Sequence, residues 1–236
     1  MSQQQLSLGV SLRDEATFDN FFIAAQSNNA ATVAALKQQL QPNGEAFIFC
    51  WGAPGSGLTH LLQASCHTAS ELGLTSQYLP LSDLVGYQPD SLLEGIEAQH
   101  LICLDDLQCV VGYPDWEQTL FNLLNRIRDN GGRLLMSADA SPLQLAVDRD
   151  DLRSRFAWGA TFHVESLEDE GKKSALKLRA KERGMDLNDE VANYILNRAP
   201  RDMTDLFDIL NLLDELSLAA QRRLTIPFVK QVLERG

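Results

Sequence analysis

The stretch Trp51-Gly52-Ala53-Pro54-Gly55-Ser56-Gly57-Leu58-Thr59-His60 gathers the residue types that can hold a phosphate. Its glycines let the backbone turn tightly, so consecutive N–H groups can converge on an anion at the positive end of a following helix. The spacing is G-x4-G-K-[ST], with Leu58 at the lysine position. In the complete motif the lysine follows the β- and γ-phosphates and the hydroxyl, here Thr59, holds Mg2+. Leu58 keeps the backbone cradle and deletes the cation. A hydrogen bond to a charged group contributes about 1.5 to 3 kcal/mol, so a triphosphate should lose more than a diphosphate. The expected chemistry is a nucleotide held with poor hydrolysis; taken alone, the loop also fits a glycine turn with no ligand.

A second constellation is acidic. The apolar run Leu101-Ile102-Cys103-Leu104 ends in Asp105-Asp106, the Walker B arrangement. Asp105 is suited to hold Mg2+ through water, with Asp106 beside it to orient an attacking water. An acidic turn after a strand is the plainer alternative. Ser137 and Asp139 end a further strand, Arg133 to Ser137, where a parallel sheet presents groups at its carboxyl edge. Arg153 and Arg155 stand in Asp151-Leu152-Arg153-Ser154-Arg155-Phe156, just before the alternating strand Ala160 to Val164. Read without context, they form a basic turn paired with Asp148, Asp150 or Asp151.

Elements must position these groups. Ala46 to Trp51 is an apolar run of strand length entering the glycine loop, and Leu61, Leu62 and Cys66 recur beyond it at helical spacing. Asn29 to Leu40 predicts an Ala-rich helix, Ser76 to Leu79 a short strand closed by Pro80, and Leu92 to Ala98 the end of a helix. Trp116 to Arg128 is amphipathic, with Phe121, Leu124 and Ile127 on its inner face. From Ser166, with a capping box Ser166-x-x-Asp169, the pattern turns wholly helical. Helices follow to Arg183-Gly184, over Asn188 to Asn197, over Asp202 to Gln221 with Met203, Leu206, Phe207, Leu210 and Leu213 inward, and from Pro227. These stripes read as core.

With 236 residues and 44% hydrophobic content the chain can bury a core of one large domain and a small one. Lysine and arginine number 20 against 32 acids, a net charge of -12, which opposes charge-driven DNA binding. The 4 cysteines form no C-x2-C pair and read as buried thiols of a reducing cytosol. No apolar stretch approaches the roughly 18 residues of a membrane span, and no signal peptide is legible, so a soluble cytoplasmic protein is expected.

Strand, phosphate loop, helix, strand, helix, Walker B strand, helix, polar-ended strand, arginine turn, strand and helical lid follow one another in an order that resembles the AAA+ ATPase module. That resemblance implies an α/β fold with a five-stranded parallel sheet flanked by helices, plus a small all-helical lid. Thr17-Phe18-Asp19-Asn20-Phe21 with Ser27-Asn28-Asn29, Leu104-Asp105-Asp106-Leu107-Gln108 and Leu152-Arg153-Ser154-Arg155-Phe156-Ala157-Trp158-Gly159 look like boxes of the replication initiator DnaA. DnaA continues into a DNA-binding domain, whereas this sequence stops after the lid, which resembles the DnaA-related Hda family. The division expected is an arm over 1–15, a nucleotide-binding domain over 16–165 and a lid over 166–236.

The family resemblance implies roles residue by residue. Gln5-Leu6-Ser7-Leu8 matches its motif for the DNA polymerase sliding clamp (the β subunit of polymerase III), with Gly9 departing at the fifth position and Val10 beyond it. Arg155 matches an arginine finger that enters the nucleotide site of DnaA in trans, and Arg153 helps dock or pairs with a nearby aspartate. Gly52, Pro54, Gly55, Ser56, Gly57, Leu58, Thr59 and His60 would hold a nucleoside diphosphate, ADP first, with Mg2+ at Thr59, Asp105 and Asp106. Phe22 and Ile23 are candidates for the base pocket. Thr204 stands at the lid's usual sensor arginine, and Arg201, one turn earlier, is the candidate substitute. DNA is reached only through these partners, and both self-association and a monomer stay open. A non-hydrolysing scaffold or clamp-loader-like adaptor, and a weak ATPase acting in cis, are the competing readings.

Overall fold

The computed structural model describes residues 16–200, 202–220 and 223–234, without the side chains of 218–220. The clamp-type motif Gln5 to Leu8, with Gly9 and Val10, and the lid residue Arg201 lie outside the described residues.

In chain order the elements are α1 (Asn29–Gln39), β1 (Phe47–Trp51), α2 (Leu58–Glu71), β2 (Ser76–Pro80), α3 (Leu81–Leu84), α4 (Pro89–Leu92), β3 (Leu101–Asp105), α5 (Pro114–Asp129), β4 (Arg133–Ala138), α6 (Asp150–Phe156), β5 (Ala160–His163), α7 (Asp169–Glu182), α8 (Asp189–Arg198), α9 (Met203–Ala220) and α10 (Ile226–Leu233). The strands form a five-stranded sheet in the order β2-β3-β4-β1-β5. All four pairings are parallel.

Strand alternation explains the layers. Phe47 and Phe49 of β1, Ile102 and Leu104 of β3, and Leu134 and Met136 of β4 join one apolar cluster with α5 and α6. Ile48 and Cys50, Leu101 and Cys103, and Leu135 face the opposite side, where α1 and α2 cover them. Both faces of the central strands are thus buried, which is why they read as continuous apolar runs. Burial pushes the Cys50 thiol up to about 12. The edge strand β5 instead alternates between half-buried and exposed positions.

The lid helices α7 to α10 close on their own cluster, including Leu176, Ile195, Leu206, Leu210 and Val229. Asn188 caps α8 by accepting the Val191 N–H, and Pro227 occupies the first turn of α10. No helix among the described residues is long and apolar enough to cross a membrane.

Several local expectations are corrected. Helix α4 ends at Leu92, and a short 3-10 turn, Ile96–Ala98, replaces the helix expected to reach Ala98, because Gly95 takes φ 80 and breaks the repeat. The capping box at Ser166 does not form: the chain stays extended to Glu168 (φ -73, ψ 170), which is the N-cap of α7. The arginine turn is a helix, α6, entered from extended Arg149. Phe121 is not on the inner stripe of α5; Leu120, Leu123, Leu124 and Ile127 are, and Phe121 is half-buried at its rim.

Candidate functional site

The carboxyl ends of β1, β3 and β4 converge on one point. Trp51 aligns with Ala138 and with His163 on its two sides, and the Gly52 N–H continues the ladder to the Ala138 carbonyl at 3.2 Å. Gly52 sits where a Cβ would lie 2.4 Å from the Val164 carbonyl oxygen and 2.8 Å from Ser56 Oγ. Gly55 and Gly57 take φ 78 and 97, values that L side chains rarely adopt, and Gly57 is the residue from which α2 starts. The loop therefore needs its glycines for conformation and for closeness. Ser56 Oγ is buried with no hydrogen-bond partner, an orphan of the kind a ligand satisfies.

Above this loop lies a cleft of about 670 Å³ between the sheet domain and the lid. Pro54, Gly55, Ser56, Gly57, Leu58, Thr59 and His60 line its floor and Asp106 one side; Arg179, Met203, Thr204, Phe207, Asp208 and Asn211 come from the lid. A smaller apolar pocket of about 60 Å³ adjoins it, walled by Phe21, Phe22, Leu167, Ala175, Met203 and Phe207. Phe22 thus stands where an apolar ring could dock. Ile23 lines neither cavity and packs against the α1/α2 side of the sheet. His60 Nε2 lies 2.7 Å from the Thr17 carbonyl and its ring 5.6 Å from that of Phe21, which fixes the segment before α1 on the loop.

The two acids differ. Asp105 is 1% exposed; its oxygens accept from Tyr78 Oη at 2.7 Å and from Ser137 Oγ. Burial raises its carboxyl above the ordinary value, partly offset by the bonds from Ser137, Tyr78 and Thr59. Burial, with the same Asp105 contact, pushes the Tyr78 hydroxyl far up. Asp106 takes φ 63, uncommon for any residue but glycine, donates its N–H to Ser137 Oγ at 3.0 Å and accepts Gln108 Nε2 at 2.9 Å. Ser137 thus bridges the pair, which leaves Asp106 in the cleft and Asp105 behind it. Asp139 lies outside the cleft lining, with its N–H on Gln108 Oε1 at 3.2 Å.

These residues fit a bound nucleotide: backbone donors, an unsatisfied Ser56 hydroxyl, and Thr59 beside Asp105. Among the described residues no three of His, Cys, Asp or Glu gather to hold a metal by themselves. A magnesium ion here would depend on phosphate oxygens together with Thr59 and a carboxylate.

Arg155 is elsewhere. It projects from α6 onto α5, its guanidinium 3.8 Å from the Phe121 ring centroid and 5.2 Å from that of Trp158. Nε donates to Asn125 Oδ1 at 3.1 Å and Nη1 to the Asp151 carbonyl at 2.7 Å. It does not line the chain's own cleft. Arg153 is tied locally, donating to Asp150 at 2.6 Å and to the Val147 carbonyl. Arg149 and Arg128 stack on Phe121 and Trp158 at 4.7 and 4.4 Å, extending an alternation of arginine and aromatic rings. Buried Glu117 accepts the N–H groups of Gly112, Asp148 and Arg149 and anchors the entry to α6.

Sequence reasoning missed Arg179, Asp208 and Asn211, and assigned Met203 and Phe207 to the core alone, although they also line the cleft. A signal was present: Arg179 falls four residues after Ala175 and three after Leu176, half-buried beside the buried stripe of α7, where a cation needs a reason.

Residues 12–163 match the family described as the bacterial DnaA ATPase domain, and residues 169–233 the one described as the Hda lid domain. An uncharacterized protein of Haemophilus influenzae is 44% identical over 231 residues, covering 98% of both chains. Domain III of the Thermotoga maritima replication initiation protein DnaA superposes with a TM-score of 0.78 at 24% identity, over 96% of this chain and 98% of that one. AMPPCP-bound DnaA from Aquifex aeolicus gives 0.72 at 25% identity, over 88% and 67%. The fold is that of AAA+ proteins, and the chain belongs to the family of the bacterial DnaA ATPase domain, with a lid of the Hda type.

Proposed function

We propose that this chain is a DnaA-related regulator that holds ADP in its own cleft and, bound to the sliding clamp, stimulates hydrolysis of ATP bound to DnaA, limiting re-initiation. The observation that carries the reading is a separation. The phosphate loop has no lysine, while Arg155 is braced by Phe121 and Asn125 on a surface away from that loop. A loop without its cation suits a held diphosphate better than turnover. An arginine entering a neighbour's site stabilises charge developing on the transferred phosphoryl group, an effect of about 10^3 to 10^5 in rate in GTPases. The chemistry then falls on the partner, and ADP sets the angle between sheet domain and lid. That a related DnaA has been solved with AMPPCP supports nucleotide binding here.

In this reading Gln5 to Leu8 engage the clamp, Thr59 and Asp105 hold Mg2+ where it is retained, Arg201 is the candidate substitute for the sensor arginine, and Arg153 supports docking through its helix. Self-association that covers Arg155 would act as a brake. The test is hydrolysis of ATP pre-bound to DnaA, with clamp-loaded DNA and ADP, comparing the unmutated chain with Arg155→Ala. Stimulation confined to the unmutated chain is expected, with ADP affinity equal in both. Equal stimulation by the variant would sink the finger; no stimulation by either, with clamp binding intact, would leave a scaffold. Steady ATP turnover by the chain alone, lost in Asp106→Asn, would instead establish hydrolysis in cis.

A further inference from the structure

The loop's missing cation leaves terminal-phosphate charge to be met by another group. Leu58, half-buried, packs toward the α1/α2 side of the sheet while its outer edge meets the cleft. The cleft also carries two carboxylates, Asp106 from the sheet domain and Asp208 from the lid, which repel a phosphate. Among the described residues lining the cleft, Arg179 is the one arginine or lysine.

Its placement separates two roles. The adjoining apolar pocket, with Phe22, Leu167 and Ala175, suits a base, and Arg179 is not among its walls. Arg179 lines the wide cleft, which Thr59 and Asp106, the groups suited to a phosphate-bound metal, also line. Phe207 walls both cavities, and the Arg179 guanidinium sits 5.3 Å from its ring centroid. That contact braces the cation against an aromatic face in the way Phe121 braces Arg155.

We propose that Arg179, supplied by the first lid helix, binds the terminal phosphate of a nucleoside diphosphate and so replaces in trans-domain fashion the cation deleted at Leu58. This rests on the nucleotide-holding reading above and adds the residue that couples phosphate charge to lid position. A loop lysine would sit on the sheet domain and leave the lid indifferent to the number of phosphates. A lid arginine makes closure depend on them: a diphosphate spans loop and lid, and a monophosphate does not reach. The state of the lid then reports which nucleotide is bound.

The test is titration calorimetry of the full chain, with Mg2+, using ADP and AMP as probes, on the unmutated protein, Arg179→Ala and Arg179→Lys. The unmutated chain should bind ADP more tightly than AMP. Arg179→Ala should lose about 10- to 100-fold in ADP affinity, the range of one charged hydrogen bond, with AMP affinity changed far less. Arg179→Lys, which keeps a point charge without the planar fork, should recover part of the ADP affinity. The AMP measurement guards against misfolding, since a damaged cleft weakens both ligands equally. Equal losses for ADP and AMP, or an unchanged ADP affinity in Arg179→Ala, would overturn the assignment while leaving a nucleotide-holding protein. Failure of the unmutated chain to bind either nucleotide would overturn that underlying reading as well.

Discussion

The cleft and the arginine face of α5 and α6 handle charge in opposite ways. In the cleft the donors are mainly backbone N–H groups at the start of α2, held by glycines at positive φ, and the acids Asp106 and Asp208 are close by. On the other face the donors are side chains, Arg149, Arg155 and Arg128, interleaved with Phe121 and Trp158 at 3.8 to 5.2 Å. The first region is pre-organised by main-chain conformation around a concavity. The second is pre-organised by aromatic support outside that concavity. A chain of net charge -12 that still concentrates arginines on one surface has placed them against its own overall field.

Substitutions should therefore fail differently in the two regions. The largest effect is expected at Gly52, where an added Cβ meets the Val164 carbonyl oxygen and Ser56 Oγ, and backbone cannot yield cheaply. Gly52→Ala should cost about 1 to 3 kcal/mol of stability through overpacking. It should also weaken ADP at least about 100-fold in calorimetry. An unchanged ADP affinity would detach the loop from the ligand. Phe121→Ala comes next and reads the other face. It removes the ring beneath Arg155 and Arg149, a loss of about 0.5 to 2 kcal/mol of cation-π support. Stimulation of DnaA-bound ATP hydrolysis should fall about 2- to 30-fold with ADP affinity unaltered, and Phe121→Tyr should retain it. Loss of ADP binding in Phe121→Ala would merge the two regions into one.

What sequence could reveal follows the same division. The glycine loop was legible because its constraint is conformational and only glycine meets it: Gly55 and Gly57 do take positive φ, and Gly52 has no room for a Cβ. The strands were legible because alternate residues of β1, β3 and β4 enter separate apolar clusters. Helix α6 was not, since seven residues dominated by Asp and Arg give no stripe; its position depends on Glu117, thirty or more residues away, gripping the backbone at Asp148 and Arg149. Phe121 looked like core because periodicity cannot distinguish packing on leucines from packing on arginines. Phe207 and Met203 were hidden for a related reason, as a helix facing another domain shows the same inward stripe whether or not a ligand cavity intervenes.

Leu58→Lys sharpens the comparison by restoring the cation to the loop. The added ammonium should improve ATP relative to ADP by about tenfold, within the range of one charged hydrogen bond. Stimulation through Arg155 at saturating nucleotide should not change, because Arg155 is outside the cleft. An ATP-to-ADP ratio identical to that of the unmutated chain would mean that the loop's charge is not what selects the diphosphate.

The smallest effect is expected at the joint between the two domains, where Glu165 follows β5 and precedes α7. The Asn28 side-chain amide donates to its carboxylate at 3.0 Å, and Asn29 exchanges hydrogen bonds with its main chain at 2.9 Å each way. Bonds from Ser27 and Asn28 hold the carboxyl below its ordinary value. On acidification the unfolded chain therefore takes up the proton first. The contribution of Glu165 is complete above the ordinary glutamate range and is lost as pH falls through the lower, folded value. Glu165→Gln should lower the melting temperature slightly at neutral pH and flatten its decline in acid. Its ADP affinity should shift slightly, since the joint sets the lid, while the arginine face, anchored through Glu117, should be untouched. A variant that instead lost stimulation with full ADP affinity would show that the joint reaches Arg155 by a route independent of the cleft.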